Sequence, residues 1–386
     1  PTTITGSVTV SDGGTNSCIA TLTAGAGSCT IDFPAAASYS MTGSYGGDSN
    51  FNGSTSAVNS HTVNKADTTT TITSDSPDSS TPGQTVTVNF SVSVTAPGSG
   101  APTGNVTVSD GVDSCIGTVA AGTCDLSLTT VGNRTLTATY AGDSNFNGST
   151  SADEPHTVGK HATTTTITSD SPDPSLVGEA VTIQYSVSGG SSPTGNVTVS
   201  DGTQSCTATV AAGQCDITFT SAGAKTLTAT YAGDSVNSGS VSSSESHQVG
   251  SADVTVTITS DTPDPSSPSQ LVTVNFTVTV NPPGVGTPTG NVTVSDGVDS
   301  CIGTVAAGTC NLLLTTSGAR TLTATYAGDS NFNGAVSADE SHTVDGTSPN
   351  VTINQKAGQP DPTGGATINF TVIFNEPVTD FDDAAD

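Results

Sequence analysis

The 386-residue chain has no Trp, one Met and only 4% aromatic residues. So few large side chains cannot fill one large core, and the buried volume must be divided among several small ones. Basic residues are nearly missing: 6 Lys and Arg stand against 34 Asp and Glu, a formal charge of −28. That deficit excludes a nucleic-acid partner, because phosphate binding needs clustered cations, and it removes any attraction to anionic membrane surfaces. Divalent cations stay compatible with it. No run of about 18 apolar residues occurs, so this segment carries no membrane insertion, and no basic-then-apolar leader opens it. Pro1 falls in mid-pattern, so a longer natural chain is expected. Helical periodicity is missing over any useful length. No nucleophile elbow, His-Glu-x-x-His helix or phosphate loop is present. An enzyme is therefore not expected.

What the sequence does have is repetition. The run YAGDSNFNGSTSA from Tyr140 returns as YGGDSNFNGSTSA from Tyr45, YAGDSVNSGSVSS from Tyr231 and YAGDSNFNGAVSA from Tyr326. A His follows each Tyr by sixteen positions, at His61, His156, His247 and His342. The block GNVTVSDG recurs at Gly104, Gly195 and Gly290, with GSVTVSDG at Gly6. A fixed period means one structural unit repeated, here long enough for each copy to own a core. Within a copy the period is two: Val86, Val88, Phe90, Val92 and Val94 alternate with polar residues, the pattern of a half-buried strand. The second copy reads as seven strands, TTTTITS, TVTVNFSVSV, GNVTVSD, SCIGTVA, CDLSLTT, RTLTATY and EPHTV, with Gly, Pro and Asp at the joins. Seven short strands at this spacing predict an all-β, antiparallel sandwich with Greek-key connections.

The TLTATYAGDSNFNGS run, following TPTGNVTVSDG, resembles the bacterial immunoglobulin-like repeats of large secreted surface proteins. The resemblance covers nearly the whole chain. It implies tandem Ig-like β-sandwiches in an elongated rod at the cell surface, a stalk or filament subunit with no shared active site. An adhesin that binds a receptor or glycan, and a non-catalytic spacer of a secreted hydrolase, are the alternative readings. The expected divisions are a partial domain of later strands (residues 1–64), three Ig-like domains (65–159, 160–250 and 251–345) and a divergent opening of another (346–386), which includes NEPVTDF. Antibody domains tie their sheets with a Cys pair packed on Trp, and neither feature is expected here.

Cysteines come in pairs, Cys18/Cys29, Cys115/Cys124, Cys206/Cys215 and Cys301/Cys310. Each pair brackets a short connection and is read as a disulfide stapling a hairpin, worth roughly 2–3 kcal/mol for a ten-residue loop. Zinc is the weaker reading, since Cys-x-x-Cys spacing is missing. Disulfides place the chain in an oxidising, extracellular setting. The four His are expected in packing or cross-strand hydrogen bonds, and His161 has no counterpart. Sequons such as Asn52, Asn105 and Asn147 follow from composition.

Counting strand directions puts the recurring loop at the incoming end of each domain, facing the SDSPD and SDGVD loops of the domain before it. Partners are thus neighbouring domains or subunits, head to tail. Phe51, Phe146 and Phe332 are the candidate packing residues of these junctions. The third copy writes Val236-Asn237 where the others write Asn-Phe, so the join between residues 65–159 and 160–250 is expected to be softest. No cofactor is required, but Ca²⁺ is a candidate at the junctions because it accepts several oxygen ligands in flexible geometry. Its candidate ligands are Asp75, Asp78, Asp110, Asp170, Asp173, Asp201, Asp234 and Asp329. Filament self-assembly by strand donation, with the final strands completing the first partial domain of another copy, is a further expectation.

Overall fold

The computed structural model describes residues 3–346, 350–358 and 367–374. The chain divides into two compact units, residues 1–163 with 188–193 and 232–239, and residues 164–187 with 194–231 and 240–386. All named elements are β-strands.

In the first unit the second repeat is a two-sheet sandwich. One sheet runs Thr123–Ser127, Thr85–Val94, Thr68–Ser76; the other runs Ser149–Thr150, Gly132–Tyr140, Asn105–Ser109, Ser114–Thr118, and Glu154–Val158 also pairs with Gly132–Tyr140. All seven expected strands are present. An eighth, Ser149–Thr150, is added where the incoming loop folds back on Tyr140, with Tyr140 opposite Ser149. The alternation of Thr and Val explains the sandwich: Val86, Val88 and Phe90 turn inward from one sheet and Val106, Val108, Leu136, Ala138 and Tyr140 from the other. Each fully buried Val or Leu contributes about 1.5–3 kcal/mol relative to exposure, while the intervening Thr and Ser satisfy the solvent face.

The opening strand changes sheets. Its register slips between Ile72 and Ser74 opposite Thr85–Val94, a bulge that bends the strand. After Ser76 the chain crosses to the other sheet, where Ser80 pairs in parallel with Val158. Ser80 N–H donates to the Thr157 carbonyl (3.0 Å) and Gly159 N–H to the Ser80 carbonyl (2.8 Å). The crossing carries Asp75 and Asp78 past the final strand, which holds His156.

The first repeat has only later strands: Ser17–Thr21, Ser7–Ser11, Ala37–Gly47 and Asn52–Thr55 in order, with Asn59–Val63 also on Ala37–Gly47. Its inner face is an open groove lined by Val10, Ala20, Ile31, Phe33 and Met41 among others.

In the second unit the fourth repeat copies the sandwich, with sheets Val254–Thr262, Leu271–Val280, Thr309–Leu313 and Ser300–Thr304, Asn291–Ser295, Gly318–Tyr326, Ala335–Val336, plus Glu340–Val344 on Gly318–Tyr326. The third repeat supplies a matching core of Val181, Ile183, Tyr185, Val197, Val199, Leu227, Ala229 and Tyr231. Val351–Gln355 and Phe370–Phe374 then pair antiparallel. NEPVTDF lies outside the described residues.

Candidate junction and histidine sites

The recurring loop is a clasp. In the second repeat Ala66, the residue entering the domain, donates its N–H to the Asn145 carbonyl (2.9 Å) and accepts from Asn147 N–H (2.8 Å). Ala252 is held the same way by Asn331 and Asn333, and His161 by Val236 and Ser238. The Lys65 ammonium donates to the Asp143 carbonyl, and that of Lys160 to the Asp234 carbonyl. Gly142 has φ +85°, and a Cβ there would sit 2.7 Å from the Phe146 carbonyl. Only Gly fits this turn.

One aspartate organises each clasp. Asp143 Oδ1 accepts from the N–H groups of Asn145 (2.8 Å) and Phe146 (3.0 Å), while Oδ2 accepts from Thr103 N–H (2.9 Å) and its hydroxyl (2.8 Å). The Asn145 N–H above all, with the Thr103 and Phe146 donors, holds its carboxyl well below the usual range. Burial pushes Asp329 upward, but the N–H of Asn331, the Thr289 donors and the N–H of Phe332 outweigh it and bring its carboxyl down to about 2. Asp234 accepts from the N–H groups of Val236 and Asn237. Asp110 and Asp201 likewise close their own turns, with Asp110 also accepting from Arg134 Nε (2.7 Å). These carboxylates are filled by donors of their own repeat. Among the described residues, Asp170 and Asp173 gather with His247, and no group of three or more such ligands joins them to Asp201 or Asp329.

The loops do meet the preceding repeat, through different atoms than expected. In the first unit Asn145 Oδ1 accepts from Ala36 N–H (3.0 Å). In the second, Asn331 Oδ1 accepts from Ala222 N–H (3.0 Å), its amide donates to the Thr220 carbonyl (3.4 Å), and Val285 N–H donates to the Val177 carbonyl (3.0 Å). The contact falls mainly on the join between the fifth and sixth strands rather than on SDSPD and SDGVD. The phenylalanines fill the ends of their own repeats. Phe146 is 5% exposed and Phe332 3%, each within the core of its own repeat, and Phe51 is half-buried. Each ring is the plug that closes the sandwich end beneath the clasp and also borders a cavity shared with the preceding repeat, Phe146 with Ala35 and Ala36 and Phe332 with Val177 and Thr220, while the hydrogen bond to that repeat is made by Asn.

All four cysteine pairs are bonded: Cys18–Cys29, Cys115–Cys124, Cys206–Cys215 and Cys301–Cys310, with Cα atoms 5.9 Å apart. They do not staple hairpins. Ser114–Thr118 pairs with Asn105–Ser109, and Thr123–Ser127 with Thr85–Val94, so Cys115–Cys124 ties one sheet to the other where the chain changes sheets. The inter-sheet tie that sequence reading denied this chain is present, between consecutive strands and without Trp.

Sequence reading did not identify the histidines as centres of clusters. His156 Nδ1 lies 2.5 Å from Asp75 Oδ2, and Nε2 lies 2.9 Å from Ser80 Oγ. His247 repeats this with Asp170 (2.7 Å) and Ser175 (2.8 Å), and His342 with Asp261 (2.5 Å) and Ser266 (2.8 Å). A second carboxylate flanks each ring: Asp173 Oδ1 at 3.4 Å from His247 and Asp264 Oδ1 at 3.6 Å from His342, while Asp78 joins Asp75 and His156. Ser, His and Asp in this order have the form of a nucleophile, its base and the base's orienter. Ser80 is 4% exposed and its backbone is locked to the last strand, so the hydroxyl holds structure rather than meeting a substrate. The signal in the sequence was the pairing of every complete SD-x-P-D run with a later His, spaced 81, 77 and 81 residues from the first Asp.

The bacterial Ig-like domain (group 3) matches residues 72–159, 167–259 and 259–345. The chain belongs to this family. Among solved structures it is similar to a tetra-tandem repeat in the extending region of a large adhesion protein, at 19% identity, covering 89% of this chain and 92% of that one with TM-score 0.44. It is also similar to part of a 1.5-MDa bacterial ice-binding adhesin (18% identity, 73% and 97% covered, TM-score 0.26). Fibronectin(III)-like modules of Clostridium thermocellum CbhA are a further likeness (18%, 47% and 94%, 0.20). No curated protein matches the sequence. Among the described residues no helix is long and apolar enough to cross a membrane.

Proposed function

We propose that this chain is an extracellular spacer, a rod of tandem Ig-like domains that holds other parts of a surface protein or filament at a distance. The observation that carries the reading is the clasp: the residue entering a repeat is pinned by the same loop whose Asn145 or Asn331 bonds the repeat before it. Such a joint transmits orientation from one domain to the next with no flexible Gly/Ser linker between them. Four disulfides suit an oxidising, extracellular setting. Small-angle scattering tests it: each added repeat should lengthen the particle by about 35–45 Å, from strands of about ten residues. A maximum dimension that does not grow with repeat number rejects the rod.

A further inference from the structure

Three times, at Asp75/Asp78/His156, Asp170/Asp173/His247 and Asp261/Asp264/His342, one imidazole nitrogen and two carboxylate oxygens lie within 4.8 Å of one another. We propose that each cluster is a transition-metal site of Zn²⁺ type, lying inside a repeat rather than between repeats.

The donor set is the first argument. A ring nitrogen with two carboxylate oxygens suits Zn²⁺, which takes N and O ligands at about 2.0–2.2 Å in tetrahedral geometry, the fourth place going to water. Calcium wants six to eight oxygens and gains little from imidazole. Tetrahedral ligands at these lengths stand roughly 3.3 Å apart. The 3.4 and 3.6 Å separations of His247 from Asp173 and His342 from Asp264 already match. The shorter contact to Asp75, Asp170 or Asp261 is closed by the ring proton and opens when that proton is displaced.

Charge is the second argument. Two carboxylates face each ring, one of them nearly buried. Among the described residues their ion pairs are with His alone, because Arg134 and Arg320 are spent on Asp110 and Asp296 and Lys65, Lys160 and Lys225 on loop oxygens. A neutral ring donates one proton to one carboxylate. The near oxygen of the second carboxylate, Oδ1 of Asp173 or Asp264, accepts instead from the N–H of Gln248 (3.0 Å) or Thr343 (2.9 Å), and a carboxylate oxygen with one such bond keeps a second lone pair for an incoming ion. A divalent ion at Nδ1, with the ring proton passed by way of solvent to Nε2 so that the imidazole stays neutral, makes the cluster electrically neutral.

The far side of each ring is the third. Ser80, Ser175 or Ser266 Oγ sits 2.8–2.9 Å from Nε2. A hydroxyl can donate to Nε2 when Nδ1 carries the proton and accept from Nε2–H when Nδ1 carries metal, so both states are satisfied. Outer partners of this kind fix the ring for ligation. The second aspartates are the solvent-facing members of the clusters, which gives the ion a way in.

The chain stripped with chelator and titrated calorimetrically with ZnCl₂ tests the proposal. Three equivalents should bind, Co²⁺ should develop a tetrahedral visible spectrum, and CaCl₂ should not compete. His156→Gln should lower the stoichiometry to two. Because that variant removes a buried partner, Asp78→Asn at an exposed position is the companion: the fold should melt as the parent does while its site weakens at least about tenfold. No zinc uptake by the parent, or uptake unchanged in a chain carrying Asp78→Asn, Asp173→Asn and Asp264→Asn, overturns it.

Discussion

The clasps of the second and fourth repeats differ from that of the third in what fills them. In the former, Phe146 and Phe332 point into the core beneath Gly100 and Gly286, where an added Cβ would stand 3.0 and 2.7 Å from the ring. In the third repeat the plug is Asn237, wholly buried, with its amide donating to the Ser191 carbonyl and Asp234 Oδ2 (both 2.9 Å) and accepting from Ser191 N–H (2.8 Å). The backbone clasp is the same in all three. Enclosure of the domain end is therefore the invariant, and either dispersion or a saturated hydrogen-bond set can supply it. The second difference is one residue earlier: Asn145 and Asn331 carry the bond to the preceding repeat, whereas Val236 has no side-chain acceptor.

The largest effect expected from breaking this comparison is in the apolar version. Phe146→Ala should cost its repeat about 3–5 kcal/mol, as for buried Phe elsewhere, and Phe332→Ala the same. Asn237→Ala should also destabilise, by removing the bonds of its wholly buried amide to Ser191 and Asp234, at about 0.5–1.5 kcal/mol for each bond lost. Urea unfolding of each variant measures it. A Phe146→Ala chain as stable as the parent would mean that the ring plugs nothing.

Reduction of the disulfides comes next and should treat the repeats alike. The Cys115–Cys124 tie joins the sheets in the same way as Cys206–Cys215 and Cys301–Cys310, so each Cys-to-Ser pair should cost roughly 2–3 kcal/mol. Denaturation with and without reductant measures the loss. Loss confined to one repeat would show that the ties differ despite their shared position.

A smaller change would convert one type of junction into the other. Asn331→Val gives the fourth repeat the Val that the third carries and removes its bonds to Ala222 and Thr220. About 0.5–1.5 kcal/mol of coupling between the third and fourth repeats should go, with the core of each untouched. Calorimetry would register it as two separated transitions where the parent shows coupled ones; unchanged coupling would remove Asn331 from the joint.

The strands were legible because Thr/Val alternation states the buried face residue by residue, and all seven of the second repeat stand where that pattern put them. The loop's place at the incoming end followed from strand parity alone. Its chemistry did not. Phe146 looked exposed because its neighbours are Asn and Gly, yet period-two patterning says nothing about a loop side chain that folds under Gly100. The cysteine tie was misread because two strands adjacent in sequence were taken as adjacent in one sheet. The Asp–His clusters depend on the opening strand crossing between sheets near Ser76–Ser80, and no local pattern announces a contact spanning 81 residues.

The smallest effect concerns pH and sharpens the role of the clasp aspartate. Asp329 has its carboxyl lowered to about 2 in the folded chain, against about 3.9 for an unperturbed Asp. A lowered folded value means that the charged form is favoured by folding. Its contribution is thus fully present above about pH 4 and is lost as the pH falls toward 2. Asp329→Asn keeps one carbonyl oxygen but turns an NH₂ group toward Thr289 N–H, which donates to Oδ2 in the parent (2.8 Å). The variant should be less stable than the parent at neutral pH, and the gap should close between about pH 4 and pH 2 as the parent's carboxylate takes up its proton. Because the group is largely solvated, the gap should be modest and should shrink further in salt. Thermal melts of parent and variant across that range measure it. A gap that stays constant down to pH 2 would show that the loop depends on the shape of the side chain and not on its charge.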